Sequence, residues 1–187
     1  MALLGRVAVV LGVLRFLGPA AAPVWAADTP SEYQLKAAFL LNFARFVEWP
    51  AAAFGAAGDP LVLCIFGKDP FGGTLDQIVS GKTINGRRLV IRRISDPGAV
   101  RSCQVLFLAA SEARRFGEIA DTVAGSSVLA VGESEGFAER GGMINFVVED
   151  NRVRFEINPS AAARARLKIS SKLLQLATIV GGPAQEK

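Results

Sequence analysis

The chain has 187 residues, 51% of them apolar and 20% charged, with a formal net charge of +4 and no histidine. That length suits one domain, since domains usually run to about 100–200 residues, and so apolar and nearly neutral a chain is not wholly disordered. Without histidine there is no Ser-His-Asp or Cys-His nucleophile, no His-ligated zinc and no imidazole general base.

Residues 1–26 read as a secretory signal peptide, with Arg6 as its positive end and Val7 to Leu14 as its short apolar core. Arg15 interrupts that run, well short of the roughly 20 apolar residues a membrane-spanning helix needs. Small residues at Val24 and Ala26 suit cleavage near Ala26, leaving residues 27–187 as a nearly neutral exported chain with its core at about 31–180. Thr29, Pro30 and Glu32 predict a helix N-terminus with Thr29 as cap. Leu35, Phe39, Asn42, Phe43 and Phe46 follow at helical spacing, and Pro50 ends the run. The helix is apolar almost all round, so it is either deeply buried or shares a face with a partner.

Leu61 to Phe66 is an unbroken apolar run of strand length, as in strands covered on both faces. A short helix is expected over Phe71 to Val79, a half-exposed strand over Arg88 to Ile94, and a second interior strand over Cys103 to Leu108. Ser111 is expected to cap a helix carrying Phe116, Ile119 and Val123, followed by a short buried strand over Val128 to Val131. Met143 to Val148 and Arg152 to Ile157 flank the turn signal Glu149-Asp150-Asn151, which predicts a hairpin. Asn158-Pro159 then opens a final helix, with Leu167, Ile169, Leu173, Leu174, Leu176 and Ala177 on its apolar side. Helices alternating with strands and then a late hairpin predict a single α/β domain, with a mixed sheet of about five to six strands flanked by helices.

Cys64 and Cys103 are the only cysteines and both sit on apolar strand runs. In an oxidising compartment two such cysteines pair more often than they remain separate buried thiols. The predicted bridge is structural, because the spacing is far too wide for a C-x-x-C redox motif.

Chemical motifs are sparse. Gly132-Glu133-Ser134-Glu135-Gly136 matches G-x-S-x-G, but no histidine exists to serve as base, and a flexible loop is the expected reading. Gly81-Lys82-Thr83 resembles the end of a phosphate-binding loop, yet Asp76 stands where its first glycine belongs. Glu149, Asp150 and Glu156 read as solvated turn residues, and Arg87, Arg88, Arg92 and Arg93 as an exposed strand face rather than a nucleic-acid site. No catalytic residue, metal or cofactor is assigned, and a binding or regulatory role is expected over an enzymatic one.

Six segments in order carry a family resemblance: Lys36 to Pro50 (KAAFLLNFARFVEWP), Cys64 to Phe71 (CIFGKDPF), Cys103 to Phe107 (CQVLF), Gly141 to Phe146 (GGMINF), Val153 to Asn158 (VRFEIN) and Leu167 to Leu174 (LKISSKLL). Together they resemble the YfiR family of periplasmic proteins. The resemblance implies a repressor that binds the periplasmic sensor domain of a membrane-bound diguanylate cyclase, lowering cyclic di-GMP and biofilm formation. It also implies an OmpA-like outer-membrane lipoprotein as sequestering partner and a homodimer. Cys64 and Cys103 match the family's main disulfide pair, while a second pair found in some members has no counterpart here. The candidate interface residues are Phe39, Phe43, Phe46 and Trp49 on the first helix, with Leu173 and Leu174 on the last. The alternative is a periplasmic small-ligand binding protein feeding a sensor kinase or a transport system.

Overall fold

A computed structural model describes residues 30–181. The expected leader and Thr29 lie outside the described residues. Helix α1 (Glu32–Phe46) is capped by Ser31, whose hydroxyl accepts from the Gln34 backbone N–H while the Gln34 side chain accepts from Ser31 N–H at 2.6 Å. The capping box therefore starts later than the expected Thr29, and Glu32 becomes the first helical residue. Its carboxylate there meets Lys36 one turn on.

After the two-residue strand β1 (Val47–Glu48) and a 3-10 turn, the chain enters β2 (Leu61–Phe66), buried at every residue. There follow α2 (Gly73–Val79), β3 (Thr83–Ile84), β4 (Arg87–Ile94), a 3-10 segment at Pro97–Ser102, and β5 (Val105–Leu108). Next come a 3-10 segment at Ala110–Arg115, α3 (Phe116–Val123), β6 (Leu129–Gly132), β7 (Ile144–Glu149) and β8 (Arg152–Ile157). The chain closes with α4 (Pro159–Arg164), β9 (Lys168–Ile169), α5 (Ser171–Leu174) and β10 (Thr178–Ile179). The main sheet has eight strands in the order β10-β8-β7-β6-β5-β2-β4-β3, and β1 pairs with β9 in a separate ribbon. Strands β4, β2, β5, β6 and β7 run parallel, β7 and β8 form the expected hairpin, and β3 is antiparallel to β4. The fold is thus the expected mixed α/β sheet, with more strands than the sequence suggests because β1, β3, β9 and β10 are only two residues long.

Residues alternate strictly between the two faces of the interior strands. Leu61, Leu63 and Ile65 of β2, with Val105 and Phe107 of β5, join a core that includes Leu40 and Phe43 of α1 and Leu75 of α2. Val62, Cys64 and Phe66, with Leu106 and Leu108, join a second core under Phe116 and Ile119 of α3. The β2-to-β4 crossover through α2 and the β5-to-β6 crossover through α3 run in opposite directions from the sheet centre, so right-handed connections put the two helices on opposite faces. That arrangement is doubly wound, with its switch point between β2 and β5.

Two expected helices take another form. Ser111 does not cap α3, which has no side-chain cap; its hydroxyl accepts from Lys68 N–H at 3.0 Å across the sheet end. The single closing helix is broken into α4, β9 and α5. Asn158 caps α4 as expected, but Arg166 adopts φ 60° and ends it. Leu167 and Ile169 are two residues apart, a strand spacing, and Ile169 pairs with Val47. Ser170 then accepts from Leu173 N–H to start α5.

Candidate functional site

The switch point of a doubly wound sheet is the usual ligand crevice, and here side chains fill it. Gly67 follows β2 at φ 96°, and a Cβ on it would lie 2.4 Å from Glu112 Cγ and 2.7 Å from Ser111 Oγ. Glycine is required there both for its dihedral and for this close approach.

Next to it, at the end of β6, lies a buried charge cluster. Lys36 Nζ contacts Glu133 Oε2 at 2.7 Å and Glu32 Oε1 at 2.5 Å, and the Lys36 and Glu133 side chains are each 4% exposed. Glu133 Oε1 also accepts from Ala110 N–H at 3.2 Å. The ammonium sits 4.7 Å from the Tyr33 ring centroid and 5.8 Å from that of Phe146. Burial pushes the Lys36 pKa down, but its hydrogen bonds to Glu133 and Glu32 and their charges more than offset this, so the net shift is upward. Burial, followed by the Glu133 charge, pushes the Tyr33 phenol up. The G-x-S-x-G stretch is therefore not a free loop: Glu133 anchors α1 to the sheet end, and Phe137 N–H donates to Ser134 C=O.

The basic strand face is exposed as expected, but two of its arginines are engaged by neighbours. Arg93 meets Asp69 at 2.6 Å and Asp76 at 2.5 Å, and its hydrogen bond to Asp76 holds that carboxyl below its usual value. Arg87 stacks 3.7 Å from the Phe54 centroid and donates to the carbonyls of Ala56 and Asp59. Arg88, Arg92 and Arg93 are exposed, and Arg87 is half-buried. At the hairpin, Glu156 accepts from the buried Asn145 side chain at 3.0 Å.

Cys64 and Cys103 are disulfide-bonded with Cα atoms 5.9 Å apart, joining β2 to the lead-in of β5 inside the second core. The candidate interface residues are placed unevenly. Phe43 and Leu173 are buried, Phe39, Trp49 and Leu174 are half-buried, and Phe46 is exposed. Phe39 and Phe43 pack on Phe146 and Phe155, and Trp49 Nε1 donates to Gln104 C=O at 3.2 Å. Leu176, just after α5, is 73% exposed, and α5 lies against the end of α1 through Ser170 N–H donating to Phe46 C=O.

On the opposite face, α3, α4 and the segment after β6 enclose an apolar cleft of about 250 Å³. Leu106, Leu108 and Ala130 form its floor, and Phe116 and Phe137, with ring centroids 4.5 Å apart, form a wall. Phe137 is held between Gly132 and Gly142, where an added Cβ would lie 2.5 Å and 2.2 Å from the ring. Arg164, exposed on the last turn of α4, is the basic residue at the rim.

Sequence reasoning missed both the cleft and the Lys36 cluster. The cleft depends on where α4 breaks, which no local pattern states. Lys36, by contrast, shares a helical face with Leu40 and Phe43, and a lysine inside an apolar stripe calls for an acidic partner.

A family model described as YfiR/HmsC-like matches residues 33–178. The chain belongs to the YfiR/HmsC-like family. The match takes in all six sequence segments noted above and every strand from β1 to β9. A conserved domain protein from Vibrio cholerae O1 biovar El Tor str. N16961 shares the fold, with a TM-score of 0.52 and 12% identity over 80% of this chain and 60% of that one. An ABC domain from Streptococcus pneumonia, in complex with L-Trp, is less similar, with a TM-score of 0.47 and 9% identity over 64% of this chain and 55% of that one. The chain thus spans less than two thirds of either protein's length. Among the described residues no helix is long and apolar enough to cross a membrane.

Proposed function

We infer that this YfiR/HmsC-like chain is an exported, non-catalytic regulator, released by cleavage near Ala26 so that residues 27–187 act as one periplasmic domain. It represses a membrane-bound diguanylate cyclase by binding the cyclase's periplasmic sensor domain, which keeps cyclic di-GMP and biofilm formation low. The observation that supports this reading is the family match over residues 33–178. Such a repressor needs no reacting groups, only higher affinity for the inactive state of its target than for the active one. Phe46, at the end of α1, and Leu176, beyond α5, are exposed apolar side chains on adjacent elements and are the contact residues this reading favours. A homodimer and an OmpA-like lipoprotein that sequesters the repressor belong to the same reading.

The test is cyclic di-GMP measured in wild-type, deletion and complemented strains, with biofilm alongside. Deletion should raise the nucleotide, wild-type complementation should restore it, and a Phe46→Glu, Leu176→Glu variant of normal periplasmic abundance should fail to restore it. Unchanged cyclic di-GMP on deletion, under conditions where the protein is made, would overturn the reading.

A further inference from the structure

We propose that the cleft between α3 and α4 is a binding site for a small monoanionic amphiphile, of the medium-chain fatty acid class, with its chain on Phe116 and Phe137 and its carboxylate on Arg164. The cleft is apolar to its floor: Leu106, Phe116, Ile119 and Phe137 line it and are all nearly inaccessible. Apolar cavities stay dry and take up apolar molecules, and one of about 150 Å³ accommodates benzene. On that scale about 250 Å³ accommodates a chain of about ten carbons.

The wall is preformed rather than collapsible. Phe137 is held from swinging into the space, because its ring is wedged between the backbones at Gly132 and Gly142 and packs at a 48° tilt against Phe116. The entrance gives the ligand its polarity. Ala124, Gly125 and Arg164 are exposed at the rim, and Arg164 makes no ion pair with the described residues. Of the other nearby guanidinium groups, Arg140 is occupied by the carbonyls of Glu135 and Gly136 and lies 5.6 Å from the Phe116 centroid, and Arg166 donates to the rim carbonyl of Gly125 at 3.2 Å.

Among the described residues no carboxylate lines the cleft, and the Ser126 hydroxyl donates to Val123 C=O. An ammonium group would meet only backbone carbonyls there and no counter-ion, so a zwitterionic amino acid leaves its positive charge uncompensated. The preference is therefore for a single negative charge on an apolar body. This site stands independently of the cyclase reading, since neither Phe46 nor Leu176 contributes to it.

The experiment is calorimetric titration of the disulfide-bonded chain with decanoate, decanol and decylamine below their aggregation concentrations, with backbone amide NMR shifts to locate the contact. Decanoate should bind more tightly than decanol, decylamine should bind weakest, and shifts should cluster on α3, α4 and residues 137–143. Arg164→Gln, an exposed change that leaves the core intact, should weaken decanoate about tenfold and leave decanol unchanged, as loss of one charge-assisted hydrogen bond predicts. Ala120→Phe should fill the cleft and abolish both. No saturable decanoate binding at millimolar concentration, shifts confined to other surfaces, or equal binding by Arg164→Gln and wild type would each overturn the proposal. If Ala120→Phe does not fold, the Arg164→Gln comparison and the shift map decide alone.

Discussion

Replacing Lys36 by methionine keeps the length and apolar stem of the side chain but strands Glu133. Its carboxylate, 4% exposed, loses the ammonium at 2.7 Å and keeps only neutral partners, the Ala110 N–H at 3.2 Å and the Tyr33 phenol. Removing one partner of a buried pair costs about 3–5 kcal/mol, because the remaining charge stays desolvated. Glu32 adds little to this figure: it is 43% exposed, and an i,i+4 pair contributes about 0.2–0.5 kcal/mol. The expected loss is then a large part of a typical total stability of about 5–15 kcal/mol. Urea unfolding at pH 7, followed by circular dichroism, should show a lower midpoint with an unchanged slope. The double variant Lys36→Met, Glu133→Gln should recover most of the loss, since removing both charges removes the stranded one. A single-variant loss under about 1 kcal/mol, or a double variant no more stable than the single, would refute the view that Lys36 and Glu133 are coupled and desolvated. The alkaline limb gives an independent check. The folded-state pKa of Lys36 lies above its usual 10.5, so the pair's contribution is fully present below that value and is lost as pH rises through the folded pKa. Wild type should therefore lose its advantage over Lys36→Met only in strongly alkaline solution.

Reduction of the Cys64–Cys103 bridge, or the double change Cys64→Ala, Cys103→Ala, should lower stability by about 4 kcal/mol on the chain-entropy estimate for a sequence separation of 39. Urea midpoints with and without reductant test this, and coincident midpoints would contradict it. Gly142→Ala would place a Cβ 2.2 Å from the Phe137 ring and 2.7 Å from its carbonyl oxygen. Overpacking of that kind costs about 1–3 kcal/mol, or about 2–4 °C in melting temperature for each kcal/mol in a domain of this size. An unchanged melting temperature would show that Phe137 is free to move and that the cleft wall is soft.

The bridge and the two-faced burial of β2 were legible in the sequence for one reason. An unbroken apolar run such as Leu61 to Phe66 has no polar face to offer solvent, so it must be an interior strand, and a cysteine within it lies in a core. The hairpin was legible because Asp150 and Asn151 tolerate the positive φ its turn requires. Family membership was legible from six short segments in order, which the family match spans. The sequence did not mark the break after α4. Leu167 to Ala177 carries enough leucine to suggest one helix, and only pairing of Ile169 with Val47, some 120 residues away, makes the chain extend there. Nor did it show that Glu133 meets Lys36, 97 residues apart in sequence. The cleft belongs to the same region, where α4 ends at the positive φ of Arg166 and the chain passes into β9. In strands such as β2, local spacing determined which residues are buried, whereas the burial of Lys36 and the 73% exposure of Leu176 were decided by tertiary packing. Which buried residues face one another, and where space is left between them, was decided by the order of strands in the sheet, a long-range property that no single window of sequence contains.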